Sequence, residues 1–451
     1  MTDRRTILGR CPFGGLGLGR APAPAPEAPA CPGRRSLLVG FGLAGAAGAG
    51  GALALVPGTA QAAAAEDARR AESADGTRDR QAFYGLHQPG IVTPQPAAAL
   101  VASFDVLADT REDLVALMKR LTSRTAALMA GEMPAPLDGR LPPPDSGLLG
   151  PAGMSDNLSV TVAFGASLFD ERFGLAPHRP KRLVAMTSFP NDALDHDCCH
   201  GDLLVQFNAN TAETNIHALR ALLKDFPDGL ALRWKQDGFL PPHTIKAQGR
   251  DTARNLLGFK DGTANLDARD DALMDRIVWV GEGSDEPSWT RGGSYQVVRL
   301  IRTLVERWDR TPLGEQEAII GRDKAEGAPL GLAHERDVPD YADDPEGRRV
   351  KVDAHIRLAN PRTAATEDSL ILRRAYNYSN GLTKAGQLDM GLLFASFQSD
   401  LDRGFVAVQK RLNGEPLEEY IKPVGGGYFF ALPGVQDPRD YFAKALLDAT
   451  A

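Results

Sequence analysis

Leu256-Leu257-Gly258-Phe259-Lys260-Asp261-Gly262-Thr263-Ala264-Asn265 forms a turn that divides the folded part of the chain into two units. An apolar pair leads into it, and one carboxylate is set between two glycines. Before the turn, 98–106 reads as a strand. Residues 111–129 carry Leu114, Leu117, Met118 and Leu121 at helical spacing. Residues 158–165 and 203–207 alternate as strands, and 212–224 reads as a helix. After the turn, 294–302 is a strand running into a helix, 370–376 and 391–397 are strands, and 399–412 is a helix. Each half mixes a few strands with long helices, without regular βα alternation. That order favours an α+β protein of two similar halves packed sheet against sheet. No glycine-rich phosphate turn follows the first strand, which argues against a doubly wound sheet. The Pro- and Gly-rich stretch 131–153 is a loop.

The chain has 451 residues, 43% hydrophobic and 24% charged, with a formal charge of −7. Its length suits two domains and a core of ordinary size. Residues 1–62 are basic, with Arg4, Arg5, Arg10, Arg20, Arg34 and Arg35 against Asp3 and Glu27. The body therefore carries the acidic excess, which argues against nucleic acid as a partner. Gly33-Arg34-Arg35-Ser36-Leu37-Leu38 precedes an uncharged run rich in Gly and Ala, and then Ala60-Gln61-Ala62. A paired arginine, an apolar run and a small-x-small site make a twin-arginine leader, cut after Ala62. Residues 63–81 read as a flexible stalk, 82–257 as an N-terminal domain and 258–451 as a C-terminal one. Cys11 and Cys31 fall in the leader, while Cys198 and Cys199 are adjacent, so no disulfide framework is implied. A protein that folds before it is exported fits that pattern.

Three side chains carry the chemistry. Asp261 is in the turn. His355 lies in Ala354-His355-Ile356-Arg357-Leu358-Ala359-Asn360-Pro361-Arg362, and Arg373 in Leu370-Ile371-Leu372-Arg373-Arg374-Ala375-Tyr376. An arginine in an apolar strand needs an anionic partner. Gly258-Phe259-Lys260-Asp261-Gly262, with His355 and Arg373 downstream, resembles the dye-decolourising peroxidase family. Tyr84 to Gly90, Asn157 to Asp170, His200-Gly201-Asp202-Leu203-Leu204, Gly391 to Gln409 and Lys422 to Phe430 resemble its secreted, deferrochelatase-like branch. The resemblance spans roughly 83–442. It implies two ferredoxin-like halves forming a dimeric α+β barrel-like fold, with haem b in the C-terminal half.

It also implies the roles. His355 is the proximal ligand to haem iron, its second N–H accepted by a carboxylate, for which Glu418 or Glu419 is expected. Asp261 is the distal general base and Arg373 stabilises charge on the departing oxygen. An aspartate in that place predicts an acidic activity optimum. Gly262, Thr263 and Ala264 lie against the haem edge. Asn360, Pro361 and Arg362 lie near the propionates, with Arg362 pairing one. Leu392 and Phe394 share a strand face, either as distal wall or as ordinary core. Where some branches carry Asn two residues after the arginine, this chain has Ala375. The implied activity is reduction of hydrogen peroxide through a ferryl state, with oxidation of bulky or phenolic donors. Release of iron from haem for uptake partners, or carriage of haem without catalysis, are the alternatives. Export by the twin-arginine machinery to the periplasm or exterior, and a homodimer, are expected as well.

Tyr376, Tyr378, Trp234, Trp279, Trp289 and Trp308 are either electron-relay residues or packed core. Asp195-His196-Asp197-Cys198-Cys199-His200 carries metal-binding side chains at a spacing that matches no standard zinc site. His178 and His243 stand in Pro-rich loops.

Overall fold

The computed structural model describes residues 76–135, 138–151, 153–242 and 252–449. The leader, most of the stalk and His243 lie outside them. Residues 76–81, expected to belong to a free stalk, are tied to the body instead. Asp156 N–H donates to Thr77 O (2.8 Å), Asn157 N–H to Asp79 O (2.7 Å) and Gln81 to the Asn157 side chain. No helix among the described residues is long and apolar enough to cross a membrane.

The first half runs β1 (Ala98–Val106), α1 (Arg111–Ala130), β2 (Ser159–Gly165), β3 (Leu203–Ala209), α2 (Ala212–Asp225) and β4 (Leu230–Phe239). The second contains α3 (Asp271–Ile277), β5 (Ser294–Thr303), α4 (Val305–Trp308), α5 (Leu313–Ile320) and α6 (His355–Ala359). It continues with β6 (Leu372–Arg373), β7 (Tyr376–Leu382), β8 (Leu388–Gln398), α7 (Ala407–Leu412), β9 (Ile421–Ala431) and α8 (Lys444–Ala449). Strands pair β4-β1-β3-β2 in the first half and β7-β8-β5-β9 in the second, all antiparallel. This is the ferredoxin-like order twice over. β2 meets β9 (Gly165 opposite Phe429) and β4 meets β7 (Phe239 opposite Asn377), so the two sheets close edge to edge into a barrel-like ring.

α1 starts at Thr110, whose side chain accepts from Asp113 N–H, and stops at left-handed Gly131. Its buried Leu114, Leu117, Met118, Leu121 and Leu128 cover the outer face of the first sheet. The inner faces of both halves share one core containing Val101, Leu204, Trp234, Val298, Leu300, Leu393 and Phe429.

The expected strand over 370–376 is broken. Leu372–Arg373 pair with β8, and after a break β7 rejoins β8 at Tyr376. The expected helix over 399–412 begins as a π-type turn at Asp402–Val406, where Gly404 leaves helical geometry. β4 and β9 were not foreseen as strands.

Candidate active site

The odd-numbered residues of β5 turn to the outer face of the second sheet, as strand alternation requires. Arg299, Ile301 and Thr303 there join Leu392 and Phe394 of β8 and Ile421 and Pro423 of β9 as one wall of a cavity of about 280 Å³. The Asp261 turn, α6 and α7 supply other walls. The first half packs helices on the corresponding sheet face. The second leaves room there, and the lining is mostly apolar.

Asp261 and Arg373 meet in this cavity, with Arg373 Nη1 2.7 Å from Asp261 Oδ1. Each is fixed by an asparagine at one end of the turn. Asn255 Nδ2 donates to Asp261 Oδ2 (3.3 Å). Asn265 exchanges two hydrogen bonds with the backbone of Arg373 (2.7 and 2.9 Å). Burial alone would push the Asp261 carboxyl up. The Arg373 guanidinium, the Asn255 amide and the nearby His355 outweigh it and hold the carboxyl below its ordinary value of 3.8. Gly262 has φ 123°, which L side chains rarely adopt, so the turn needs glycine there.

His355 begins α6 and lines the same cavity. Its Nδ1 lies 2.7 Å from Glu415 Oε2. The carboxylate expected at Glu418 or Glu419 is therefore Glu415, whose side chain is 3% exposed. Glu418 accepts from Gly414 N–H, and Glu419 pairs with Arg307 at the surface. Residues 416–419 form a 3-10 turn that aims them away from the imidazole, a geometry that residue spacing does not reveal. Burial would lower the His355 pKa, but the Glu415 carboxylate reverses this and raises it. With Nδ1 engaged by Glu415, Nε2 is the nitrogen left to serve as a ligand.

Gly262, Thr263, Ala264, Asn360, Arg362, Leu392 and Phe394 all line the cavity, while Pro361 is not among the lining residues. Buried Arg322 also lines it and was not foreseen. Burial, and then the proximity of Arg362 and Arg373, push its guanidinium below the ordinary range. Several cations thus crowd one cavity, and an anionic ligand would relieve them. An imidazole with a carboxylate behind it, apolar walls and arginines suited to carboxylates fit a haem group.

Residues 88–240 match the Dyp-type peroxidase N-terminal model, and residues 252–436 match the C-terminal one. The chain belongs to the Dyp-type peroxidase family. A deferrochelatase from Escherichia coli K12 is 58% identical over 401 residues, which cover 88% of this chain and 95% of that protein. A Dyp-type peroxidase from Cellulomonas bogoriensis superposes with TM-score 0.73 at 35% identity, covering 83% of this chain and 99% of that one. Ferric DtpA from Streptomyces lividans gives TM-score 0.74 at 36% identity, covering 82% and 98%. This Dyp-type peroxidase is therefore a haem-dependent enzyme.

Other charged groups of the peroxidase surround the site. Arg299 is paired with Asp192, both 1% exposed, at one part of the cavity wall. Neither that pair nor Asn255 and Asn265 stood out in the sequence, because asparagines in turns are common. The cluster at 195–200 does not gather into a metal site, and the described residues hold no such group. Burial pushes the Cys199 thiol up to about 11, which disfavours the thiolate that would bind a metal. Of the six relay candidates none lines the cavity. Trp308 packs edge-on against the lining residue Phe259 with ring centroids 6.0 Å apart.

Proposed function

We propose that this peroxidase cleaves hydrogen peroxide with Asp261 as distal acid–base, Arg373 as its electrostatic partner and His355 as proximal ligand to haem b. Haem b supplies the iron at which the peroxide O–O bond breaks and the store for its oxidising equivalents. The observation that carries the reading is one cavity holding both the Asp261–Arg373 pair and the His355–Glu415 pair. The Asp261 carboxylate takes the proton from one peroxide oxygen and returns it to the other, which leaves as water. Arg373 keeps that carboxylate ionised and faces the charge that develops on the leaving oxygen. Glu415 holds the His355 tautomer and strengthens its donation. Gly262, Thr263 and Ala264 provide close backbone approach at one edge. Asn360 and Arg362, with Arg322, take the propionate end, and Leu392 and Phe394 keep water from the distal face. Phenols and bulky dyes are the donors proposed.

The decisive measurement is stopped-flow absorbance of the haem-loaded enzyme mixed with hydrogen peroxide. Asp261→Asn should keep its haem and lose at least ~100-fold in the peroxide step, the usual contribution of a general base. An undiminished rate in that variant would remove Asp261 from the mechanism.

The 58% identity to a deferrochelatase supports a second reading, in which haem is a substrate that gives up iron and leaves intact porphyrin. Free-base porphyrin fluorescence after incubation with haem would establish it, and its absence would leave peroxidase as the activity. The leader motif supports export by the twin-arginine machinery to the periplasm or exterior. The remaining parts of the reading are division into 82–257 and 258–451, a homodimer, and delivery of any released iron to uptake proteins.

A further inference from the structure

The chain around Asp261 is held by one carboxylate, Glu335. Glu335 Oε1 accepts from the hydroxyls of both Thr252 and Thr263, the second at 2.9 Å. Its Oε2 lies 2.5 Å from Lys260 Nζ, with both side chains 15% exposed. Thr252 enters the turn, Lys260 precedes Asp261, and Thr263 follows Gly262. Gly262 is the residue whose backbone has the most freedom to swing the carboxylate. Glu335 therefore ties the backbone on both sides of that pivot to one point. Burial opposes its charge, but Lys260 and the two threonine hydroxyls more than compensate, and its carboxyl stays below the ordinary value. The backbone behind it is pinned in turn, since Arg322 Nη1 donates to Glu335 O (3.0 Å) and to Gly327 O (2.6 Å). A few residues on, Pro339 and Tyr341 line the cavity.

We propose that Glu335 is a positioning residue of the peroxide reaction, acting through the Asp261 turn and linking that turn to the cavity-lining segment that carries Tyr341. The proposal rests on Asp261 being the base. Displacing a reacting group by about 1 Å costs on the order of 100-fold in rate. Freeing the turn should therefore be felt at the peroxide step although Glu335 touches no reactant.

The test compares Glu335→Ala, Asp261→Asn and the double variant in the haem-loaded enzyme, with Thr263→Val as a milder perturbation that removes one hydroxyl. Two readouts are taken: the second-order rate with hydrogen peroxide, and the association rate of cyanide with the ferric haem as a function of pH. Cyanide arrives as neutral HCN and gives its proton to the same base, so its binding reports the base without turnover. Expected are a fall of ~10–100-fold for E335A and a smaller, several-fold fall for T263V in both rates, with haem content and the donor KM unchanged. The double variant should be no slower than D261N alone. A slow D261N beside an E335A at wild-type rates overturns the role of Glu335. So does strict additivity in the double variant, which would mean Glu335 acts elsewhere. D261N at full rate overturns the base assignment itself, and the proposal with it. Should E335A fail to take up haem, T263V decides alone, and unchanged cyanide association in it counts against the proposal.

Discussion

At the scale of single residues, two carboxylates of the cavity differ in their partners. Asp261 faces a guanidinium that holds its carboxyl below the ordinary value of 3.8. A group lowered in this way contributes above its unfolded value and is lost only as pH falls through its folded value. The acid limb of the pH–rate profile with peroxide is therefore expected below pH 3.8. Replacing Arg373 by Gln removes the largest opposition to burial, leaving only the Asn255 amide and His355, and should move that limb upward, which a pH series of stopped-flow rates would read directly. An unmoved limb in Arg373→Gln would mean another group titrates. Glu415 faces an imidazole N–H instead. Glu415→Gln should weaken haem binding by ~10–100-fold and raise the ferric/ferrous midpoint potential, since a neutral amide accepts less strongly than a carboxylate. Haem titration of the apoprotein and spectroelectrochemistry would measure the two effects. Asp261, His355 and Arg373 stood out in the sequence as a set at the spacing that the family resemblance implies, since an aspartate before glycine or a lone histidine is ordinary by itself. Glu415 did not, because Glu415, Glu418 and Glu419 lie within five residues and no periodicity says which one turns inward.

At the scale of elements, the cavity depends on strand alternation. Leu392 and Phe394 line the cavity while Leu393 turns to the inner core, so a one-residue slip of β8 would exchange the two sets. The end of β2 is packed tightly against the segment that enters β3. A Cβ at Gly165 would meet the backbone oxygen of Gly201 at 1.9 Å. Backbone cannot yield as a flexible side chain does, so Gly165→Ala should destabilise the protein by at least ~1–3 kcal/mol, seen as a lower melting temperature. A variant melting with the wild type would show that these two segments can part without cost. Helices and strands with clear periodicity, such as α1 and β1, were legible locally. The strand expected at 370–376 was not placed correctly, because Arg374 and Ala375 pack under the 93–95 segment: Arg374 donates to Thr93 O and Gln95 to Ala375 O. Those contacts come from the other half of the chain.

At the scale of the whole molecule, two ferredoxin-like halves share an inner core and complete each other's sheet edges. Separated, 82–257 would expose the edges of β2 and β4 together with the apolar inner face containing Val101, Leu204 and Trp234. Unpaired edges with apolar faces associate. Expressed alone, each half should aggregate, and co-expressed halves should co-elute as one species in size-exclusion chromatography. A soluble monomeric N-terminal half would show that the shared core is dispensable.

The sequence alone determined the α+β class and the turn at Asp261, and through its family resemblance it singled out Asp261, His355 and Arg373. Hydrophobic period and turn residues can be read within a few residues, and the resemblance is carried by short motifs spread along the chain. Tertiary structure decided which glutamate backs His355, that Asn255, Asn265 and Glu335 hold the acid and the arginine, and that the second sheet leaves a cavity where the first packs helices. Each of these depends on contacts between residues tens to hundreds of positions apart, and no local pattern of hydrophobicity or charge encodes which distant partner a side chain will meet.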